Sequence, residues 1–132
     1  MDPEAPHTMI ATEGLTHIHL LVKDLERSLR FYRDVFGLEE RFRDGPKMVF
    51  LRTPGCRDTV TLKESDDAEE RSRVGTRGGI DHFGFRLRGP KDLDGAIAEI
   101  ENQGGTLVRR GTHPSGEAFA YVSDPDGYQI EL

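Results

Sequence analysis

Three side chains of the metal-ligand type stand at the heads or ends of apolar stretches: His17 in GLTHIHLLV (14–22), His82 in GIDHFGFRL (79–87) and Glu131 in the terminal DPDGYQIEL (124–132). Two imidazoles and one carboxylate at three corners of an octahedron suit Fe(II), Mn(II), Ni(II), Co(II) or Zn(II). They leave positions open for a substrate and a small molecule. A strand histidine by itself also fits an ordinary core or surface position, and Glu131 fits an edge charge. The first stretch adds a second histidine, His19, two residues beyond the first.

The elements that must position these residues form an internal repeat. Shifting the chain by 65 residues lays GLTHIHLLV on GIDHFGFRL, so that Gly14 meets Gly79 and His17 meets His82. His19 meets Gly84, so one histidine of the pair is repeated and the other is not. In each copy a strand leads to a helix with Asp24 or Asp92 as candidate N-cap and Gly37 or Gly104 past the C-terminus. Leu25, Leu29, Tyr32 and Phe36 share one helical face, as do Leu93, Ile97 and Ile100. Three short strands follow in each: LEERFR, KMVFLRT and DTVTLKE, then TLVRRGT, EAFAYVS and GYQIEL. Turn residues at 44–46, 53–55 and 124–127 separate them. The unit is β-α-β-β-β, twice.

Alternation along a strand puts Ile18, Leu20 and Val22 on one face and His17, His19 and Leu21 on the other. Phe83, Phe85 and Leu87 likewise oppose His82, Gly84 and Arg86. Glu131 opposes Ile130, and a hairpin at the DPDG turn brings Tyr121 to its side of the sheet. His17, His82 and Glu131 are therefore expected on the faces turned away from the helices.

The 132 residues suffice for one domain with a real core. A net charge of −6 with interspersed signs gives no basic patch for nucleic acid or an anionic membrane. No apolar run spans a bilayer. The start lacks the pattern of a secretory leader, and residues 1–13 read as a disordered tail. Cys56 is the sole cysteine, which excludes an internal disulfide and fits a cytoplasmic protein. The expected layout is one domain over 14–132: module one 14–64, a polar linker or lid 65–78, and module two 79–132.

The three motifs together resemble the vicinal oxygen chelate superfamily, the glyoxalase, bleomycin-resistance and extradiol-dioxygenase group. The resemblance covers about residues 14–132. It implies an α+β fold in which two βαβββ modules form a cupped, mixed eight-stranded sheet with the helices outside. It implies His17, His82 and Glu131 as metal ligands, and it sets Thr61 at the fourth ligand position of glyoxalase I, where Thr61 is not a usual ligand. Extradiol dioxygenases carry a tyrosine ten residues before the ligand glutamate, as Tyr121 stands before Glu131. They also carry a histidine upstream of it, near where His113 stands.

The resemblance thus implies a metal-dependent catechol ring-cleaving dioxygenase, with Fe(II) as the first expectation and Mn, Ni, Co or Zn as alternatives. His19 would be the base, for which an ordinary imidazole pKa is suited. His113 and Tyr121 would be acid and hydrogen-bond donors, with Phe50 and Phe119 lining the cavity and Arg52 or Arg86 meeting an anionic substrate. The other readings are a thiol transferase, or an isomerase or lyase of the glyoxalase or fosfomycin-resistance type, and a bleomycin-resistance-type protein that sequesters a small molecule without catalysis. Small-molecule substrates and a homodimer are the expected partners, with His17 from one subunit and His82 with Glu131 from the other if the modules exchange.

Overall fold

The computed structural model describes residues 9–88 and 92–132. The expectation of a disordered tail lies outside the described residues for 1–8, and residues 9–13 are exposed. The elements run β1 (Ile18–Val22), α1 (Leu25–Phe36), β2 (Glu39–Arg43), β3 (Met48–Arg52), β4 (Val60–Glu64) and α2 (Ala68–Arg73). They continue with β5 (Phe83–Gly84), α3 (Leu93–Asn102), β6 (Thr106–Thr112), β7 (Ala118–Ser123) and β8 (Gln129–Glu131). No helix among the described residues is long and apolar enough to cross a membrane.

The eight strands fall into two four-stranded mixed sheets of identical order, β1-β4-β3-β2 and β5-β8-β7-β6. In each, the first and last strands of the module run parallel and the others antiparallel. The repeat extends to an irregularity. A register shift between Glu40 and Phe42 in β2 is matched by one between Leu107 and Arg109 in β6. Such a bulge adds one residue to one strand and reverses the alternation beyond it. Leu107 faces the buried Val122, whereas Arg109 stands opposite Tyr121 on the other side of the sheet.

The helices form where expected. Asp24 accepts a hydrogen bond from the Arg27 N–H and starts α1, and Gly37 closes it with its own N–H on the Arg33 carbonyl. Asp92 caps α3 through the Gly95 N–H. Leu25, Leu29 and Tyr32 are buried, as are Leu93, Ile97 and Ile100. Phe36 is half-buried and stacks on Phe85 of the second module, 4.3 Å between centroids.

One apolar core serves both modules, from Leu20, Val22 and Phe31 to Val122, Ile130 and Leu132. Each such fully buried side chain contributes about 1.5–3 kcal/mol. Polar bonds also cross the repeat boundary. The Tyr32 hydroxyl donates to Asp124 at 2.7 Å in a buried setting. Arg27 and Ser28 bond Asp126 at 2.5 and 3.3 Å, and the Tyr128 hydroxyl donates to the Leu21 carbonyl at 2.6 Å. Asp124 is 2% exposed, and its other oxygen accepts three backbone N–H bonds from residues 126, 127 and 128. Burial pushes its carboxyl up to about 6, against the opposing effect of the hydrogen bond from Tyr32.

Residues 65–78, expected as a linker, carry α2. Asp67 caps it, Arg71 donates to the carbonyls of Lys23 and Ser65, and Val74 is buried. Gly75 then passes so close to the 124–127 turn that a Cβ there would lie 1.9 Å from the Asp126 carbonyl oxygen. Only glycine fits, both for that approach and for its φ of +77°.

Candidate functional site

His82 precedes the short strand β5, Glu131 ends β8, Tyr121 lies on β7 and His113 follows β6. The ladders set Gly84, Glu131 and Tyr121 side by side across sheet two. His82 Nε2 lies 3.2 Å from Glu131 Oε1, and His113 Nε2 lies 3.1 Å from Glu131 Oε2. The Tyr121 ring meets His82 edge-on at 4.8 Å, and its phenol hydrogen-bonds the same carboxylate. Burial and the Glu131 charge hold that phenol above its ordinary value. Burial would raise the Glu131 carboxyl, but its contacts with His113, Tyr121 and His82 outweigh it and hold it below the usual range. Glu131 is thus a carboxylate at neutral pH.

Gly84 makes room for this group. A Cβ at that position would stand 3.0 Å from the Glu131 carbonyl oxygen and 3.5 Å from its Cβ. A cavity of about 610 Å³ opens beside it, lined by Gly84, Arg86, His113, Glu117 and Glu131 among others.

The donor chemistry fits a cation. Asp81 Oδ1 lies 2.8 Å from His82 Nδ1. A proton on Nδ1 satisfies that contact and leaves the Nε2 lone pair facing the Glu131 oxygen, a pairing that a positive ion between them resolves. Two donors each bonded at about 2.1 Å at right angles around one ion are about 3 Å apart, close to the 3.2 Å seen here. Asp81 is itself held by Arg77 at 3.1 Å. The sequence reading missed this acid, although Asp81 stands beside His82 in the motif.

His17 and His19 are not joined to this group by any contact among the described residues. His17 is exposed and precedes β1 in sheet one. It lines a separate cavity with Leu15, Asp58 and Phe83. Among the described residues no three His, Cys, Asp or Glu side chains are disposed to hold one ion. His19 lies in register with Thr61, and it lines a cavity of about 310 Å³ with His82 and Tyr128. Burial, with Lys63 and His17 adding, holds the His19 imidazole below its ordinary value, so it is neutral at pH 7. Thr61 is buried with its hydroxyl unpartnered among the described residues.

Phe50 stacks on Phe42 at 4.4 Å, and Phe119 packs against His113 and Tyr121. Arg52 is taken up by Glu39. Arg109, which plain alternation sets on the wrong face, lies over the Phe119 and Tyr121 rings at 5.3 and 5.1 Å.

Comparisons with known proteins agree with this architecture. The chain is 35% identical over 123 residues to the catechol-2,3-dioxygenase of Bacillus subtilis, a match that covers 89% of this chain and 41% of that enzyme. The chain thus spans about two fifths of that relative's length. It is 35% identical over 128 residues to a probable lactoylglutathione lyase of Synechocystis, covering 89% and 92% of the two chains. Among solved structures, a mutant of the fosfomycin resistance protein FosX from Listeria monocytogenes, complexed with Mn(II) and 1S,2S-dihydroxypropylphosphonic acid, superposes with a TM-score of 0.71. It is 27% identical, with 92% and 90% of the chains covered. Two βαβββ modules, their common sheet order and a family model that matches residues 14–132 together show that the chain belongs to the Glyoxalase/Bleomycin resistance protein/Dioxygenase superfamily.

Proposed function

We propose that this protein is a divalent-metal enzyme of the extradiol type, which opens the ring of a catecholic substrate with dioxygen. The observation that carries this reading is the convergence of His82, His113 and Tyr121 on the Glu131 carboxylate. His82 and Glu131 would hold the ion, Fe(II) first and Mn(II), Ni(II), Co(II) or Zn(II) as alternatives. His17 would complete the set from a second copy of the chain in a homodimer. When bound, the ion supplies a chelating centre for two vicinal oxygens and an electron path to dioxygen.

The chain's own residues have separable tasks. Asp81 fixes the His82 tautomer and ring plane. His19 shares its strand face with His17 and enters with it. Neutral at pH 7, it accepts a hydroxyl proton from the substrate. His113 Nε2 meets the other carboxylate oxygen and Tyr121 stands beside His82, and both would donate to a developing oxyanion. The lone exposed Cys56 suits a reducing cytoplasm.

The test is oxygen uptake by metal-loaded protein over a panel of catechols, with metal stoichiometry measured alongside. Uptake that vanishes in His17→Ala and Glu131→Ala supports the reading. Metal well below one equivalent, with ligand binding unchanged in His17→Ala, would leave a sequestering protein instead. Sharing of the site has its own test. Co-refolding the two inactive variants should restore about a quarter of wild-type metal content, because half the dimers then carry one intact site. A second reading, lyase or isomerase, is favoured by the near-complete length match to a probable lactoylglutathione lyase. It predicts turnover of a thiol adduct without oxygen uptake.

A further inference from the structure

Arg109 separates itself from most arginines of the chain. Arg27, Arg33, Arg43, Arg52, Arg57, Arg73, Arg77 and Arg110 each meet a carboxylate. Arg109 has no ion-pair partner among the described residues. Its guanidinium instead lies over Phe119 and Tyr121. The β6 bulge turns it onto the face that carries Glu131, in register with Tyr121. A guanidinium whose charge rests against aromatic rings instead of a carboxylate keeps its N–H fork available for one, and that fork matches a carboxylate. Beside it lies a cavity of about 380 Å³ lined by Arg77, Asp81, Val108, Arg109, Tyr121 and Gln129. Arg77 and Asp81 neutralise each other there, so Arg109 leaves the lining with a net positive charge. In module one the matching pair is Phe42 on Phe50, so the repeat supplies this geometry without the charge.

We propose that Arg109 is the receptor for a carboxylate on the substrate, and hence that the substrate is an organic acid. This rests on the reading of Glu131, His82 and Tyr121 as the substrate centre. The acid group would dock one tyrosine ring away from that centre. The protein's net charge of −6 gives no general attraction for acids, so the preference must come from a local cation.

The probes are 3,4-dihydroxybenzoate and catechol, which differ by one carboxylate, and benzoate with benzamide, which cannot chelate. Affinities are measured calorimetrically on the Mn(II)-loaded full chain, and the Arg109 Nε–H resonance is followed by NMR. The expected result is a preference for the acid of each pair. Arg109→Gln should abolish it, a loss of about tenfold or more in acid affinity, with catechol affinity and metal content kept. Arg109→Lys should keep part of it. Arg110→Gln removes the same charge from the neighbouring residue and should leave the preference intact. The Nε–H signal should move with benzoate and stay with benzamide. Equal binding of acid and neutral probe, or an acid preference that survives Arg109→Gln, overturns the proposal. If neither catechol binds while benzoate still shifts Arg109, the dioxygenase reading fails and the carboxylate receptor stands.

Discussion

Across sheet one, His19, Thr61, Phe50 and Phe42 stand in register as a single row. Across sheet two the matching row is Gly84, Glu131, Tyr121 and Arg109. The strand order, the parallel pair and the bulge are the same in both. The first row carries two phenylalanines and a buried hydroxyl without a partner among the described residues. The second holds a carboxylate, a phenol and a cation, with a glycine where the first has an imidazole. A duplicated scaffold thus gives two walls: one fit to press against rings, the other to hold charge. The glycine also shows that the polar wall has a steric condition, since any side chain at position 84 crowds Glu131.

The largest break in this contrast should come from Glu131→Gln. It removes the anion on which His82, His113 and Tyr121 converge, and metal affinity is expected to fall more than about 100-fold. Equilibrium dialysis against Mn(II) reads it, and near-normal affinity would mean that the ion is held elsewhere.

Next come the two histidines that flank the centre. His19→Ala and His113→Asn should each retain metal and lower turnover by about 100-fold or more, as loss of a proton-transfer group does. If His19→Ala loses metal instead, the roles of His17 and His19 are exchanged.

A smaller effect distinguishes the boundary between modules from the centre. The Asp124 carboxyl is raised to about 6, above its unfolded value of 3.8, so the folded state binds its proton more readily. Its stabilising contribution is full below 3.8 and is lost as pH rises through about 6, at most about 3 kcal/mol in all. His19, with a lowered pKa, works in the opposite direction near neutrality. The difference between wild type and Asp124→Asn therefore isolates the aspartate. Thermal melts from pH 5 to 7 should converge toward high pH, and a constant offset would refute the assignment.

The smallest change is expected from Thr61→Val, the counterpart of the Glu131 substitution. It replaces an unpartnered buried hydroxyl with a methyl group, so it should leave metal binding alone. Stability should rise by less than about 1 kcal/mol. A loss of metal would show that the Thr61 hydroxyl helps to hold the ion after all.

Much of this was legible in the chain itself. The 65-residue repeat, the Asp24 and Asp92 caps and most strand boundaries depend on local preference and alternation, whereas the strand expected within 79–87 is only Phe83–Gly84. The placing of His82, Tyr121 and Glu131 on one face depends on alternation too. Arg109 was not legible, because a bulge reverses alternation without leaving a mark in composition. The distance of His17 from Glu131 was not legible either. Alternation gives the face on which a residue lies, but not which of two sheets it joins. The polar stretch 65–78 read as a linker or lid, with no helix in it, because α2 buries no residue within itself. What anchors it is the Arg71 guanidinium, the buried Val74 just beyond its end and the Gly75 backbone.

The bonds that cross the repeat boundary bear on how this chain could be divided. Tyr32 reaches forward to Asp124, and Tyr128 reaches back to Leu21. Each half therefore closes the other, like two pages sewn along one spine. A gene for either half alone would yield a chain with an uncovered apolar face, the second half with an aspartate deprived of its phenol and the first with the phenol alone. Two such fragments made together in one cell, however, carry all that is needed to find each other.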